Sequence, residues 1–415
     1  MPFTHALTGS NPVRATILKN KRSDGLFFSL MRIYLKMKKT YAYFLQVIYW
    51  ITNATVASFT IVYLATALNN DVLVGMMISL MGLFSILLNT IFEKRYILSK
   101  EISIRKLLLC IYGLALLCYL IYGYTRCNIL LRAFLYCAGY SLFSYSHQYI
   151  NIYAAKINDN SRIKDGNRPI TLGPLYYSMM VLVIGYWFVR ESPLVYINFS
   201  AVFVFVSFLS ILFCKYDFMY CKQREIDVKL KSDYRFILFV IASVLSSMAA
   251  VTSIKFISRI VIGNGGNMLN LALLFAIQST VVIFANIYSK KILEKISSET
   301  LLLFSFVFSF IKVFLIYISK DLNLMYLAMA LSIISYGSLG FASYDYLSKI
   351  IEKQYLAKAN KISHLCSSIN IGSLLSGFIC SYVLYYYDVR MLLLVSCICA
   401  FCSILVFAGG LSCNK

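Results

Sequence analysis

Charged residues are scarce in this chain of 415 residues: Asp, Glu, Lys and Arg together make up 13%, and there are only 5 prolines and 3 histidines. A soluble domain carries about 25% charged residues. Here hydrophobic residues reach 60%, and the mean hydropathy is +0.75. The composition excludes a soluble enzyme, a disordered chain and a disulfide-stapled secreted domain. Apolar runs of membrane-spanning length recur along the chain, which predicts an all-α polytopic membrane protein.

Acidic residues are the scarcest charges, with 17 Asp and Glu against 39 Lys and Arg, for a formal net charge of +22. The basic residues stand in short gaps between apolar runs. No basic stripe with interleaved exposed aromatic residues is present, so nucleic acid is not an expected partner. We expect the basic gaps to set the topology and to contact anionic lipid headgroups.

No metal, cofactor or catalytic set is expected. Nearly all of the 12 cysteines lie in apolar runs, where cysteine behaves as a small apolar residue. Cys397, Cys399 and Cys402 would spread around one helix and could not converge on a metal ion. The sequence has no nucleotide-binding loop and no histidine-rich set, so the protein is not expected to be an enzyme.

Residues 1–36 differ from the rest in being polar and basic, and they contain no secretory signal. The segment Gly9–Pro12 is the in-frame reading of GGTTCGAATCC, the usual T-arm of a tRNA gene, and Met37 is followed by two lysines. We therefore expect residues 1–36 to be an extension from an overlong gene prediction. A cytoplasmic tail is the alternative.

Apolar runs between charged gaps predict twelve transmembrane helices, each near or above the ~20 residues that cross a bilayer. The predicted spans are Tyr41–Leu68, Val72–Phe92, Arg105–Tyr124, Ile129–Ala155, Arg168–Val189, Pro193–Phe213, Tyr234–Ile262, Met268–Ser289, Thr300–Ile318, Leu322–Lys349, Ala359–Tyr386 and Met391–Leu411.

Basic residues in alternate gaps predict the orientation. One set of five gaps carries 22 Lys and Arg, whereas the other set holds only Arg126, Arg190, Lys320 and Arg390. Because positive residues stay on the cytoplasmic side, both termini are expected in the cytoplasm and the protein in the inner (cytoplasmic) membrane.

The longest internal gap follows the sixth span and predicts two pseudo-symmetric six-helix bundles. The predicted units are 37–214, a cytoplasmic central loop at 215–233, and 234–415. The halves also resemble one another at an offset of 197 residues, where Asn89 matches Asn286 and Gln148-Tyr149 matches Asp345-Tyr346. Parallel six-helix repeats are a transporter architecture with the substrate site at the repeat interface.

This layout resembles the major facilitator superfamily. The stretch from Asn89 through Glu93-Lys94-Arg95, with Arg105-Lys106 further on, is similar to the charged loop signature of that superfamily between spans two and three. The small residues from Gly372 to Gly377 are similar to its packing in span eleven. The resemblance implies a secondary transporter, expected as a monomer, that moves a small-molecule solute by alternating access.

Polar side chains at bilayer depth are costly, so they mark candidate sites. Asn53, Gln278 and Asn370 lie near the centres of spans one, eight and eleven, and their amides are expected to line a substrate cavity. Hydrogen bonds between helices are the alternative role. Lys255 and Arg259 lie one turn apart in span seven and are placed to meet an anion.

Coupling or gating residues are expected in the cytoplasmic half. His147 and Asn151 share a face of span four, His364 enters span eleven, and Asp345 lies near the inner end of span ten. Histidine or a buried carboxylate could carry protons. Packing of the histidines and an ion pair between Asp345 and Lys349 are the alternatives.

The ionisable groups inside the predicted spans are mainly cationic, which favours an anionic or neutral polar solute. Lys312, in span nine, is peripheral in the resembled fold and is expected to extend its ammonium to the membrane interface. Alternatives to the transporter are a lipid-linked oligosaccharide flippase, an integral membrane transferase, and a sensor or regulator that moves no solute.

Overall fold

The computed structural model describes residues 24–91, 102–124, 128–159, 168–188, 195–214, 219–220, 234–351 and 369–412. Most of the predicted N-terminal extension and most of the central loop 215–233 lie outside these ranges. The helices are α1 (Asp24–Ala57), α2 (Thr60–Leu68), α3 (Asp71–Ile91), α4 (Ile104–Tyr124), α5 (Ile129–Asp159), α6 (Arg168–Phe188), α7 (Val195–Leu212), α8 (Tyr234–Lys255), α9 (Ile257–Gly263), α10 (Met268–Lys295), α11 (Ser298–Ile318), α12 (Leu322–Ala330), α13 (Ser332–Ser335), α14 (Leu339–Ile350), α15 (Ile369–Tyr386) and α16 (Val389–Ser412).

The membrane character expected from the sequence is confirmed by these helices. Within the described ranges, nine helical segments are long and apolar enough to cross a bilayer, and residues 172–187 and 371–386 form shorter apolar helices. Helices suit lipid because they satisfy their own backbone hydrogen bonds. Every predicted span overlaps one or more helices. The count of twelve crossings stays a prediction.

Two helical runs are interrupted at matching positions. The α1–α2 run breaks just before Thr60, at Phe59, and the α8–α9 run breaks at Phe256. These phenylalanines are 197 residues apart and are both buried, with 0% and 1% of their surface exposed. The offset equals the one that relates the two halves of the sequence.

The α12–α13–α14 run is interrupted twice, at Leu331 and again at residues 336–338. Gly337 in the second break is required by close packing, since a Cβ there would lie 2.5 Å from the Cβ of Ala285. A broken helix leaves backbone polar groups without their helical hydrogen bonds. In a membrane protein this is tolerated only where those groups are buried in protein or line a water-filled cavity. The breaks therefore mark the interior of the protein.

Short connections lie at one end of the helices, which we call the short-loop end; the opposite end is the basic-loop end. The short connections are 69–70, 125–128, 189–194, 264–267, 319–321 and 387–388. At the basic-loop end, strand β1 (Ile102–Ser103) pairs antiparallel with β2 (Met219–Tyr220). Next to it, Arg105 donates to the Leu212 carbonyl over 2.7 Å and so caps the last turn of α7.

The closest contact between residues 37–214 and 234–415 joins α3 to α15 through small residues. The Ser79 hydroxyl donates to the Leu374 carbonyl over 2.8 Å, and the Ser381 hydroxyl donates to the Val72 carbonyl over 3.0 Å. A Cβ on Gly377 would lie 2.4 Å from the Ser79 nitrogen, so only glycine fits there. Small residues of this kind let helices approach closely in lipid.

A second contact joins α6 to α10. The Ser178 hydroxyl donates to the Ala276 carbonyl over 3.2 Å and accepts from Thr280 over 3.1 Å. A Cβ on Gly185 would lie 2.2 Å from that of Ala272. Between described residues, five side-chain hydrogen bonds join the two halves, and none of them lies at the basic-loop ends of the helices.

Gly377→Ala is expected to destabilise the protein, because its methyl group would meet the backbone of α3. Overpacking of this kind costs about 1–3 kcal/mol. Gly409→Ala is the matched control, since nothing lies within 4 Å of a Cβ there. Thermal unfolding of the purified variants checks this. Equal melting temperatures for the two variants would contradict the close contact.

Candidate functional site

The two amides that the sequence predicts near mid-membrane are half-buried. Asn53 of α1 and Gln278 of α10 keep part of their surface exposed. Neither makes a hydrogen bond among the contacts found for the described residues. Asn370 is the second residue of α15, but its side chain lies outside the described part. An amide without a protein partner can offer both a donor and an acceptor to a solute.

Lys255 ends α8, next to the break at Phe256, and is half-buried. Its Nζ lies 5.2 Å from the centroid of the Tyr140 ring on α5. This contact reaches from one half of the chain to the other. No carboxylate pairs with Lys255 within the described ranges. A cation–π contact stabilises an ammonium by about 0.5–2 kcal/mol and leaves its hydrogen-bond donors unused.

Arg259, predicted beside Lys255 as an anion ligand, instead forms an ion pair. Its Nη2 lies 2.5 Å from Oδ1 of Asp71, which begins α3 at the short-loop end. The side chains are 42% and 32% exposed, so the pair itself contributes only about 0–1 kcal/mol. Solute binding by Arg259 stays a prediction, and in this conformation its guanidinium is occupied.

Aromatic side chains that the sequence analysis did not select lie close to these polar groups. Trp50 stands one turn before Asn53, and its ring meets that of Tyr177 edge-on at 6.4 Å. Gly173 leaves the space for the indole, because a Cβ there would lie 1.9 Å from Trp50 Nε1. Trp50 also meets Tyr49 edge-on at 5.8 Å.

Tyr336 lies in the second break of the α12–α14 run and is 54% exposed. Sequence alone could not select it, since 33 tyrosines occur in the chain and nothing local marks the break.

His147 and Asn151 are engaged by α1. The His147 ring stacks on Tyr49 at 5.0 Å and meets Trp50 edge-on at 5.5 Å. Asn151 Oδ1 accepts a hydrogen bond from Gln46 Nε2 over 2.9 Å. These are packing and interhelical contacts of the kind named as alternatives. A coupling or gating role for either residue stays a prediction.

Asp345 Oδ2 lies 2.6 Å from Lys349 Nζ on the same helix, and this Nζ also donates to the Ser298 hydroxyl over 3.0 Å. The bridge is the alternative that the sequence left open for Asp345. The contact does not test whether Asp345 couples protons, so that role stays a prediction. His364 lies outside the described residues, so no neighbour can be assigned to it.

The expectation that Lys312 reaches the interface was wrong. Its side chain is buried, with the residue only 5% exposed, and its Nζ donates to the Ser332 hydroxyl over 2.9 Å. Lys312 sits on α11 beside the first break of the α12–α14 run. This partner could not be predicted from the sequence, because Ser332 lies twenty residues away on another helix.

Within the described ranges, no group of three or more acidic, cysteine or histidine side chains could hold a metal ion. The polar side chains described above are amides and hydroxyls, with the Lys255 ammonium and the Asp71–Arg259 ion pair. Such a set can bind a polar or anionic solute.

Several solved structures share this arrangement of helices over nearly their full length. A mutant of the nucleoside transporter NupG superposes with a TM-score of 0.73 at 13% identity, covering 91% of this chain and 99% of that one. The fold is that of a major facilitator superfamily transporter. No family model matches this sequence, and no curated protein matches it.

Two other transporters of the superfamily fold align as broadly. A POT family transporter in complex with a thioalcohol-conjugated peptide gives a TM-score of 0.69 at 10% identity, covering 91% of this chain and 96% of that chain. A bacterial homologue of the iron transporter ferroportin, in its inward-facing state, gives 0.65 at 11% identity, covering 90% and 98%. Sequence identities this low show that the fold is shared, and they do not identify the solute of this protein.

Ser332→Ala is expected to destabilise the protein by about 1–3 kcal/mol, because it leaves the buried Lys312 ammonium without its partner. Lys312→Met removes the charge at similar volume and is expected to be neutral or stabilising. Thermal unfolding of both variants checks this, with the exposed Lys320→Met as control. A larger loss in Lys312→Met than in Ser332→Ala would contradict the interpretation.

Proposed function

We propose that this protein is a secondary active transporter that moves a small polar solute by alternating access between two six-helix halves. The superfamily fold supports this proposal. So do the matching breaks at Phe59 and Phe256, because equal interruptions at an offset of 197 residues are what a parallel repeat produces. On this model there are twelve spans, the units are 37–214 and 234–415, and the protein acts as a monomer.

The proposed orientation places the short-loop end outside the cell and both termini in the cytoplasm, in agreement with the basic gaps. The α3–α15 and α6–α10 contacts then close the path from outside. The Asp71–Arg259 pair adds a link at the same end. Opening toward the outside must separate these contacts, which consist of small-residue packing, single hydrogen bonds and one partly exposed ion pair.

The proposed solute is small and anionic or neutral, and it binds between the halves among Asn53, Gln278 and Lys255. The observation that carries this proposal is the half-buried ammonium of Lys255, which reaches across to Tyr140 and meets no carboxylate among the described residues. Asp71 and Asp345 are each engaged by a basic residue, so neither is free to hold a cationic solute.

A proton gradient is the proposed energy source, with His147, His364 and Asp345 as the candidate carriers. Histidine titrates near neutral pH and can respond to a proton gradient across the membrane. The stacking of His147 on Tyr49 ties its ring to α1, the helix that also carries Asn53. Protonation there would thus act on the helix that contacts the solute.

Proteoliposomes containing the purified protein test the proposal. Labelled carboxylates, sugar phosphates, nucleosides and short peptides are offered with and without a pH gradient. We expect gradient-dependent accumulation of at least one class, reduced about tenfold or more in Asn53→Leu through loss of a hydrogen bond to the solute. The exposed Asn286→Leu on α10 is the matched control.

Absence of flux above protein-free liposomes for every class would refute the transporter. Flux that is equal in Asn53→Leu and the control would remove Asn53 from the solute site. Accumulation that ignores the pH gradient would refute proton coupling and leave the transport function standing.

A further inference from the structure

The aromatic residues around Lys255 narrow the chemistry of the solute. Resting on the proposed transport function, we infer that the solute is a small organic anion that carries a planar ring. Its acidic group pairs with Lys255, and its ring packs against Trp50 and Tyr177.

The rings form a continuous wall that starts at the ammonium. Lys255 Nζ lies 5.2 Å from the centroid of the Tyr140 ring, and Phe143, one turn on from Tyr140, stacks on Tyr49 at 5.3 Å. Tyr49 meets Trp50 edge-on at 5.8 Å, and Trp50 in turn contacts Tyr177. These contacts connect the ammonium to the indole.

Trp50 and Tyr177 are both half-buried, so part of each ring is left for a solute. Edge-to-face or offset-stacked contacts with such rings stabilise a planar solute beyond the area that it buries.

The charge at this wall selects an anion. Removing an ammonium from water is costly unless a partner replaces the lost hydrogen bonds, and a ring face replaces them only in part. A carboxylate, phosphate or sulfonate would supply charge-assisted hydrogen bonds to Lys255. A cation would be repelled, because no free acidic group faces this wall within the described ranges.

Neutral polyols fit the wall less well than ring-bearing anions. A sugar needs many directional partners, whereas this wall is built mainly from aromatic rings, with Asn53 one turn after Trp50 on the same helix. One amide and an ammonium are enough to orient a carboxylate and a ring substituent.

The chain carries its own reporter for this inference, because its only tryptophans are Trp50 and Trp187. Trp187 is 48% exposed at the short-loop end of α6. In a Trp187→Phe background, the fluorescence of Trp50 alone is titrated with 4-nitrobenzoate and with its neutral isostere 4-nitrobenzamide. Both probes quench indole, so the comparison isolates the charge.

We expect saturable quenching by 4-nitrobenzoate, with 4-nitrobenzamide binding about tenfold or more weaker, as for a lost charge-assisted hydrogen bond. Lys255→Met should make the two probes bind alike, Lys255→Arg should keep the preference, and the exposed Lys320→Met should change nothing. The residual binding of 4-nitrobenzamide to Lys255→Met shows that the variant is folded.

The inference is overturned if 4-nitrobenzoate fails to quench Trp50 saturably, if both probes bind alike before substitution, or if the preference survives Lys255→Met. Flux of another solute without binding of 4-nitrobenzoate would refute this solute class and keep the transporter. Binding of 4-nitrobenzoate without flux of any solute would support the site and refute transport.

Discussion

The close approach of α3 and α15 is the contact on which the arrangement of the two halves depends. Glycine and serine on both helices bring the two backbones together, and Ser79 and Ser381 each bond a carbonyl of the opposite helix. Helices in lipid gain little from the hydrophobic effect against one another, so this packing and these bonds supply the attraction. Larger residues here would hold the halves apart and leave the polar groups between them open at both ends.

Three basic side chains of the apolar helices have different partners. Lys312 is held inside one half by Ser332, whereas Arg259 and Asp71 hold each other across the halves. Lys255 differs from both, because among the described residues its ammonium meets the Tyr140 ring and no carboxylate. A transporter that binds an anion needs one cation left without a counter-ion until the solute arrives.

Much of the fold could be predicted from the sequence. The length of each apolar run and the position of each charged gap are local features of the sequence, and the thickness of a bilayer constrains both. The offset of 197 residues was also visible, and the breaks at Phe59 and Phe256 fall on it. The breaks themselves were not predicted, since neither is marked by proline or glycine. Twelve crossings and the cytoplasmic termini stay predictions.

The candidate site was harder to predict, because its contacts join residues distant in sequence. Asn53, Gln278 and Lys255 were selected as polar groups at bilayer depth, and the structure leaves all three half-buried. Arg259 was selected by the same rule, but its partner lies 188 residues away and could not be foreseen. The aromatic residues were missed, because tyrosine is common throughout this chain.

We propose that the α3–α15 contact is a gate that opens rather than a permanent joint. Spin labels on Asn128→Cys and Lys320→Cys, exposed at the short-loop ends of the two halves, measure this in a chain free of other cysteines. The account predicts a single short distance in the parent chain and an added longer distance in Gly377→Ala, which forces the helices apart. The same single distance in both proteins would contradict it.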